Sequence, residues 1–148
     1  MTARQPDVVS QVDLALVVPG SVPLPVVASL RYDRLDPYAV HICFHTGGAG
    51  STDMVEWTFA RQLLADGLTR PTGIGDVRVW PSNPDAEGTS STISIALSSP
   101  SGHALFEAPR EALLQFLLRT YAEVPFGAEA TEVDLDAELT ALLEDDVT

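Results

Sequence analysis

Lysine is absent from this sequence; all eight basic residues are arginine. Against them stand 21 acidic residues, for a formal net charge of −13. That leaves no lysine-rich track for nucleic-acid phosphates or anionic lipid headgroups. A charged partner of such a chain is a basic one, although plain solubility is the commoner reason for an acidic field. Cysteine is nearly absent: Cys43 stands alone, so no intrachain disulfide forms, which fits a reducing cytoplasm. Long apolar runs are missing too. Those present are cut by proline or charge, so no transmembrane helix is expected. Residues 1–15 lack the basic-then-apolar layout of a secretory signal. No stretch gathers a nucleophile, a base and an acid, so no enzyme, no catalytic residue, no cofactor and no metal is expected.

What is present is a chain of 148 residues, 45% of them hydrophobic. One domain over 1–148 is expected, with residues 1–7 as a loose terminus. A chain of this size buries about 70% of its unfolded surface and needs no staple. The acids are uneven. Residues 111–148 carry ten of them against Arg119, giving −9 there and −4 elsewhere.

Apolar alternation dominates the first sixty residues. Val12, Leu14, Leu16 and Val18 share one face; so do Val26, Ala28, Leu30 and Tyr32. Tyr38, Val40, Ile42 and Phe44 form a third face, and Val55, Trp57 and Phe59 a fourth. With turns between them, these read as an antiparallel meander. A short helix is expected over Ala60–Asp66, stopped by Gly67 as a left-handed cap. Val77 and Val79, then Ile93, Ile95 and Leu97, then Ala104 and Phe106 predict three more strands. Ser99-Pro100-Ser101-Gly102 fits a type I turn between the last two. Pro109 suits the first helical position of a helix carrying Leu113, Phe116, Leu117 and Tyr121 on one stripe. Asp134 then caps a last helix with Leu135, Leu139, Leu142 and Leu143 on one side.

Few residues invite chemistry. His41, Cys43 and His45 share a strand face, but alternate residues lie roughly 6.6 Å apart along a strand, so one ion cannot readily collect all three. They read as outer-face residues covered by a helix or another subunit. The same spacing, with no third orienting group, disfavours a Cys-His nucleophile. Gly47-Gly48-Ala49-Gly50-Ser51-Thr52 lacks the lysine of a phosphate loop, and Gly73-Ile74-Gly75-Asp76 is too short for a dinucleotide fingerprint. Trp57 and Trp80 read first as core. Arg31, Arg34, Arg61, Arg70 and Arg78 read as partners of carboxylates such as Asp33, Asp36 and Asp76. Tyr32 and Tyr38 among them suggest a stacking platform for nucleic acid, which the charge disfavours.

The word order carries more. LRYDRLDPYAV at 30–40, EWTFARQLLADGL at 56–68, RPTGIGDVRVWP at 70–81, IALSSPSGHALFEAP at 95–109 and VDLDAEL at 133–139 stand in fixed succession. Together they resemble the SsgA-like family of actinobacterial sporulation and cell-division proteins, nearest its B-type branch, from about Leu14 to Leu143. The glycine-rich loop His45–Asp53 is the one departure. The resemblance implies an α+β, whirly-like fold: antiparallel β-sheets packed together with about three helices, in an oligomer, with a trimer expected. It implies a non-enzymatic cytoplasmic regulator that places septa by recruiting the tubulin-like division GTPase FtsZ and promoting its polymerisation. Another SsgA-like protein or a membrane-bound division factor are further partners it allows. Whirly relatives bind single-stranded nucleic acid, which supplies the alternative function. No motif fixes the partner-binding residues.

Overall fold

Apolar side chains at every second position build seven strands in the computed structural model, which describes residues 5–45, 54–73 and 75–130. They are β1 (Val8–Leu16), β2 (Leu24–Tyr32), β3 (Ala39–His45), β4 (Met54–Ala60), β5 (Val77–Pro81), β6 (Thr92–Ser99) and β7 (Gly102–Pro109). Helix α1 (Arg61–Gly67) follows β4, and α2 (Arg110–Glu123) follows β7. All pairings are antiparallel, in the order β4-β3-β2-β1-β7-β6-β5.

The expectation of sheets packed on each other is therefore corrected: there is one sheet, bent into a half-barrel. The bend lies where the β1–β4 meander meets the β5–β7 meander. β1 pairs with β2 from Val8↔Tyr32 to Leu16↔Leu24, yet meets β7 only at Ala15↔Glu107 and Leu16↔Phe106. A joint that short lets the halves turn toward each other. Phe44 on β3 and Phe106 on β7 measure the result. They stand three strands apart, about 14 Å on a flat sheet. Their ring centroids are 4.5 Å apart and nearly parallel, at 18°.

The concave face holds the core. Val12, Leu14, Ala28, Leu30, Val40, Ile42, Ile93, Ile95 and Leu97 are all buried there, as their alternation predicted. Val18 and Tyr38 depart from it: β1 ends at Leu16, and Tyr38 is exposed just before β3. The helix α2 packs its Leu113, Phe116 and Leu117 against this core and lies on β1, β7 and α1. Pro109 sits at its N-cap, one residue earlier than expected, and Glu111 adds a carboxylate to the positive end of the helix dipole. Two helices stand among the described residues, against about three expected. The third, over 135–143, lies outside the described residues.

Tyr32 shows how the meander is closed. Its hydroxyl donates to the Pro37 carbonyl at 3.0 Å, tying the end of β2 to the turn before β3. Burial raises its phenol to about 12, although the nearby Arg61 cation acts to lower it. A raised value in the folded protein favours folding below the ordinary value of 10.0, and this contribution is lost as pH rises toward 12. Substituting Tyr32→Phe is therefore expected to flatten the loss of stability over that alkaline window, read by urea unfolding at stepped pH. Identical alkaline slopes for both proteins contradict the assignment.

Candidate functional site

The strand β4 is an edge, and its inner face is only partly covered. Its alternation reads as core in the sequence, but only Phe59 is buried; Trp57 is half-buried and Val55 is 47% exposed. Trp57 and Val55 form one wall of an apolar groove of about 290 Å³. Phe44 and Phe106 make its floor, and the β6–β7 hairpin, with Leu97, Ser99 and residues 101–104, makes the other wall. The bend of the sheet creates this groove, because it brings the hairpin opposite β4.

The groove carries little chemistry. His103 Nδ1 lies 3.1 Å from the Ser98 hydroxyl, across the hairpin. Among the described residues no carboxylate orients that imidazole. Ser99 and Ser101 hydroxyls bond each other at 3.0 Å over the turn. What the groove offers is aromatic and aliphatic surface beside a strand edge, the composition of a protein-binding pocket.

His41, Cys43 and His45 do not converge. His41 Nδ1 meets Thr58 Oγ1 at 2.9 Å, and the ring lies between Glu56 at 3.6 Å and Asp36 at 3.8 Å. His45 Nε2 lies 3.3 Å from Ser29 Oγ. Cys43 is 2% exposed, with its sulfur 3.5 Å from that of Met54. Each engages its own neighbour on the outer face of the sheet. Among the described residues no group of three His, Cys, Asp or Glu residues is placed to hold a metal ion. The loop over 47–52 and Ile74 lie outside the described residues. Trp80, read as core, is half-buried and lines a shallow depression with Pro71, Thr72 and Arg78.

The arginines divide. Arg70 pairs with Asp66 at 3.3 Å on the surface. Arg119 reaches from α2 to β1, donating to the Val9 carbonyl at 3.1 Å and Ser10 Oγ at 2.8 Å. Arg61 is different: it is the largest fully buried side chain among the described residues, 1% exposed. Its guanidinium lies between the Tyr32 and Tyr121 rings, at 4.9 and 4.7 Å from their centroids. It donates to the carbonyls of Thr120 at 3.3 Å and Val124 at 2.8 Å, and pairs with Glu129. Sequence reading gave Arg61 a carboxylate partner, which Glu129 supplies, but looked for it among near neighbours and missed the burial between two rings.

A bent antiparallel sheet, two helices and an apolar mouth at an edge strand define a class of small β-rich protein with no catalytic constellation among its described residues. The family described as Streptomyces sporulation and cell division protein, SsgA, matches residues 26–129. A sporulation-specific cell division protein SsgB of Frankia casuarinae is 52% identical over 143 residues, covering 97% of this chain and 96% of its own. An SsgB of Streptomyces coelicolor is 56% identical over 133 residues, covering 90% and 93%. A solved SsgA-like sporulation-specific cell division protein from Thermobifida fusca superposes with a TM-score of 0.78 at 45% identity, covering 95% of this chain and 98% of that one. An SsgB structure tied to longitudinal cell division during sporulation of Streptomyces coelicolor gives 0.75 at 55% identity, covering 84% and 94%. The chain belongs to the SsgA family of sporulation and cell-division proteins. That family is not a known enzyme class, and a role in division and sporulation is what its relatives support. Among the described residues no helix is long and apolar enough to cross a membrane.

Proposed function

We propose that the protein is a non-enzymatic regulator that positions septa, in the cytoplasm at division sites, by binding the tubulin-like GTPase FtsZ and promoting its polymerisation. The observation that carries this reading is the pairing of SsgA-family membership with a groove that offers apolar binding surface and, among the described residues, no catalytic constellation. A homo-oligomer of three copies presents that surface several times. Linking weak sites raises avidity by about 10²–10⁴ without any new contact, which rewards a filament over its free subunits. The whirly-like reading, single-stranded nucleic-acid binding, needs a basic groove with stacked aromatics. A net charge of −13 disfavours it.

Sedimentation of the purified GTPase with and without this protein tests the proposal. More polymer in the pellet, with this protein in it, is the expected result. Unchanged polymer mass with none of this protein in the pellet overturns direct recruitment and points to a membrane-bound or second SsgA-like intermediary. Light scattering on the same preparation reads the oligomer, and a monomer throughout removes the avidity argument.

A further inference from the structure

The sheet has two edges, and the chain treats them differently. On β5, Thr72 N donates to the Val79 carbonyl at 2.8 Å, and Val79 N donates back to Thr72 at 2.9 Å. The last residue of α1, Gly67, is pressed against Val79 from the helix side. That edge is covered by its own chain. On β4, the described residues pair only with β3. Protein edges are commonly blunted by lysine, proline, bulges or inward-pointing charge. The β4 sequence, MVEWTFA, has no lysine and no proline, and its register with β3 runs unbroken from Ala39↔Ala60 to His45↔Met54.

The phase of that ladder follows from one bond. Arg61 N donates to the Tyr38 carbonyl at 2.7 Å, in the register that continues through Ala39↔Ala60. Antiparallel pairs alternate between hydrogen-bonded and non-hydrogen-bonded. Phe59, Trp57 and Val55 therefore turn their amides and carbonyls inward to β3. Thr58, Glu56 and Met54 turn theirs outward. The residues with outward backbone groups carry side chains on the outer face; Val55 and Trp57 carry theirs over the groove. Met54 is 53% exposed and the Glu56 side chain 52%.

We propose that β4 receives an extended segment of another protein by antiparallel strand addition, with apolar side chains of the segment over the groove and basic side chains alternating with them beside Glu56. Among the described residues nothing pairs with this row of outward backbone groups, and it calls for an extended backbone, since only a strand satisfies it in sequence. The groove under Val55 and Trp57 calls for apolar residues at every second position. Charge complementarity sets the rest. A basic residue opposite Glu56 makes a favourable cross-strand pair, whereas a second copy brings another Glu56 to the edge on a chain that itself carries a net −13. The partner is thus a basic-apolar segment of a different chain. This inference rests on the reading of the protein as a division regulator that acts by surface binding.

The test uses a capped synthetic peptide of about nine residues alternating valine and lysine, added to the full ¹⁵N-labelled chain. The amides of Met54, Glu56 and Thr58 and the Trp57 indole are expected to shift. Backbone N-methylation at a lysine beside Glu56 removes an N–H that faces β4 and is expected to weaken binding about ten-fold; methylation at a valine leaves it unchanged. Because these changes are made in the peptide, no protein variant has to fold. On the protein side, Thr58→Pro removes one outward N–H at an edge position where proline is tolerated, and is expected to weaken binding similarly. Lysine and valine methylation acting alike, shifts confined to other strands, or no binding at millimolar peptide each overturn the proposal. So do shifts at the same amides produced by unlabelled copies of this protein alone, which assign the edge to self-pairing. The peptide experiment contains no GTPase, so its failure and the failure of the sedimentation test are separate results.

Discussion

Replacing Arg61 with alanine is expected to destabilise the protein by about 3–5 kcal/mol, the cost of breaking a buried ion pair from one side. Three losses coincide there. Glu129 keeps its charge in a mostly covered position without its cation. The Val124 carbonyl just past α2 loses its arginine donor, and the Thr120 carbonyl keeps the Val124 N–H but loses its second donor, at the helix end where the dipole is negative and cations are favoured. Tyr32 and Tyr121 face a void where a cation lay between their rings. Arg61→Met restores much of the volume and none of the hydrogen bonds, so it is expected to recover only part of the loss. Urea unfolding reads both variants, and an alanine variant within about 1 kcal/mol of the native chain, the range of exposed pairs, sinks the assignment.

The same pair sets an acid limit. Burial pushes the Glu129 carboxyl up, but the hydrogen bond and charge of Arg61, together with backbone N–H donors including that of Gly127, outweigh it and hold the group below its ordinary value of 4.5. A depressed value means the stabilisation is present above 4.5 and is lost as pH falls through the folded value. In Glu129→Gln this part of the acid slope should vanish while stability at neutral pH drops. The pair bears on function through placement. α1 leaves β4 at Arg61, so the residue that anchors α2 also fixes one end of the edge strand.

Arg61 also marks the boundary of what the sequence discloses. Strands were legible where period-two burial is local: Val26, Ala28, Leu30 and Tyr32 fall on one face because each follows from the last. Leu113, Phe116 and Leu117 were legible for the same reason at helical spacing. The hydrogen-bond partners of the Arg61 guanidinium lie 59 to 68 residues further on, and no local pattern announces them. The groove was hidden likewise. Phe44 and Phe106 each read as ordinary core, and only the short β1–β7 joint shows that their rings stack across a bend. Alternation also cannot tell an edge strand from a central one, so Val55 and Trp57 read as buried when they form a partly open wall. The family resemblance, by contrast, was legible in full, because it rests on words and not on distances.

Gly67 is the second position where a long-range reason replaces a local one. Its place at the end of α1 suggests a left-handed cap, but its backbone is not left-handed and the capping residue, Leu68, is right-handed helical. What requires glycine is the approach of β5. A Cβ at Gly67 would stand 2.3 Å from Val79 Cγ1 and 2.5 Å from Val79 Cβ, far inside van der Waals contact. Two effects of Gly67→Ala then compete. Alanine gains up to about 1 kcal/mol of helix propensity, less at a terminus. Overpacking against a strand whose side chain is fully buried costs about 1–3 kcal/mol, because α1 or β5 must move. The clash is with the stem of Val79, not with the end of a flexible chain, so overpacking wins and net destabilisation is expected. Val79→Ala removes the nearer atom and leaves the Cβ, which makes the compensation partial. In that background Gly67→Ala is expected to cost about 1 kcal/mol less, a coupling typical of residues in contact. Urea unfolding of the four proteins closes the cycle. Strict additivity would place the cost of Gly67→Ala elsewhere than against Val79, and close approach to β5 would no longer account for a glycine at the end of α1.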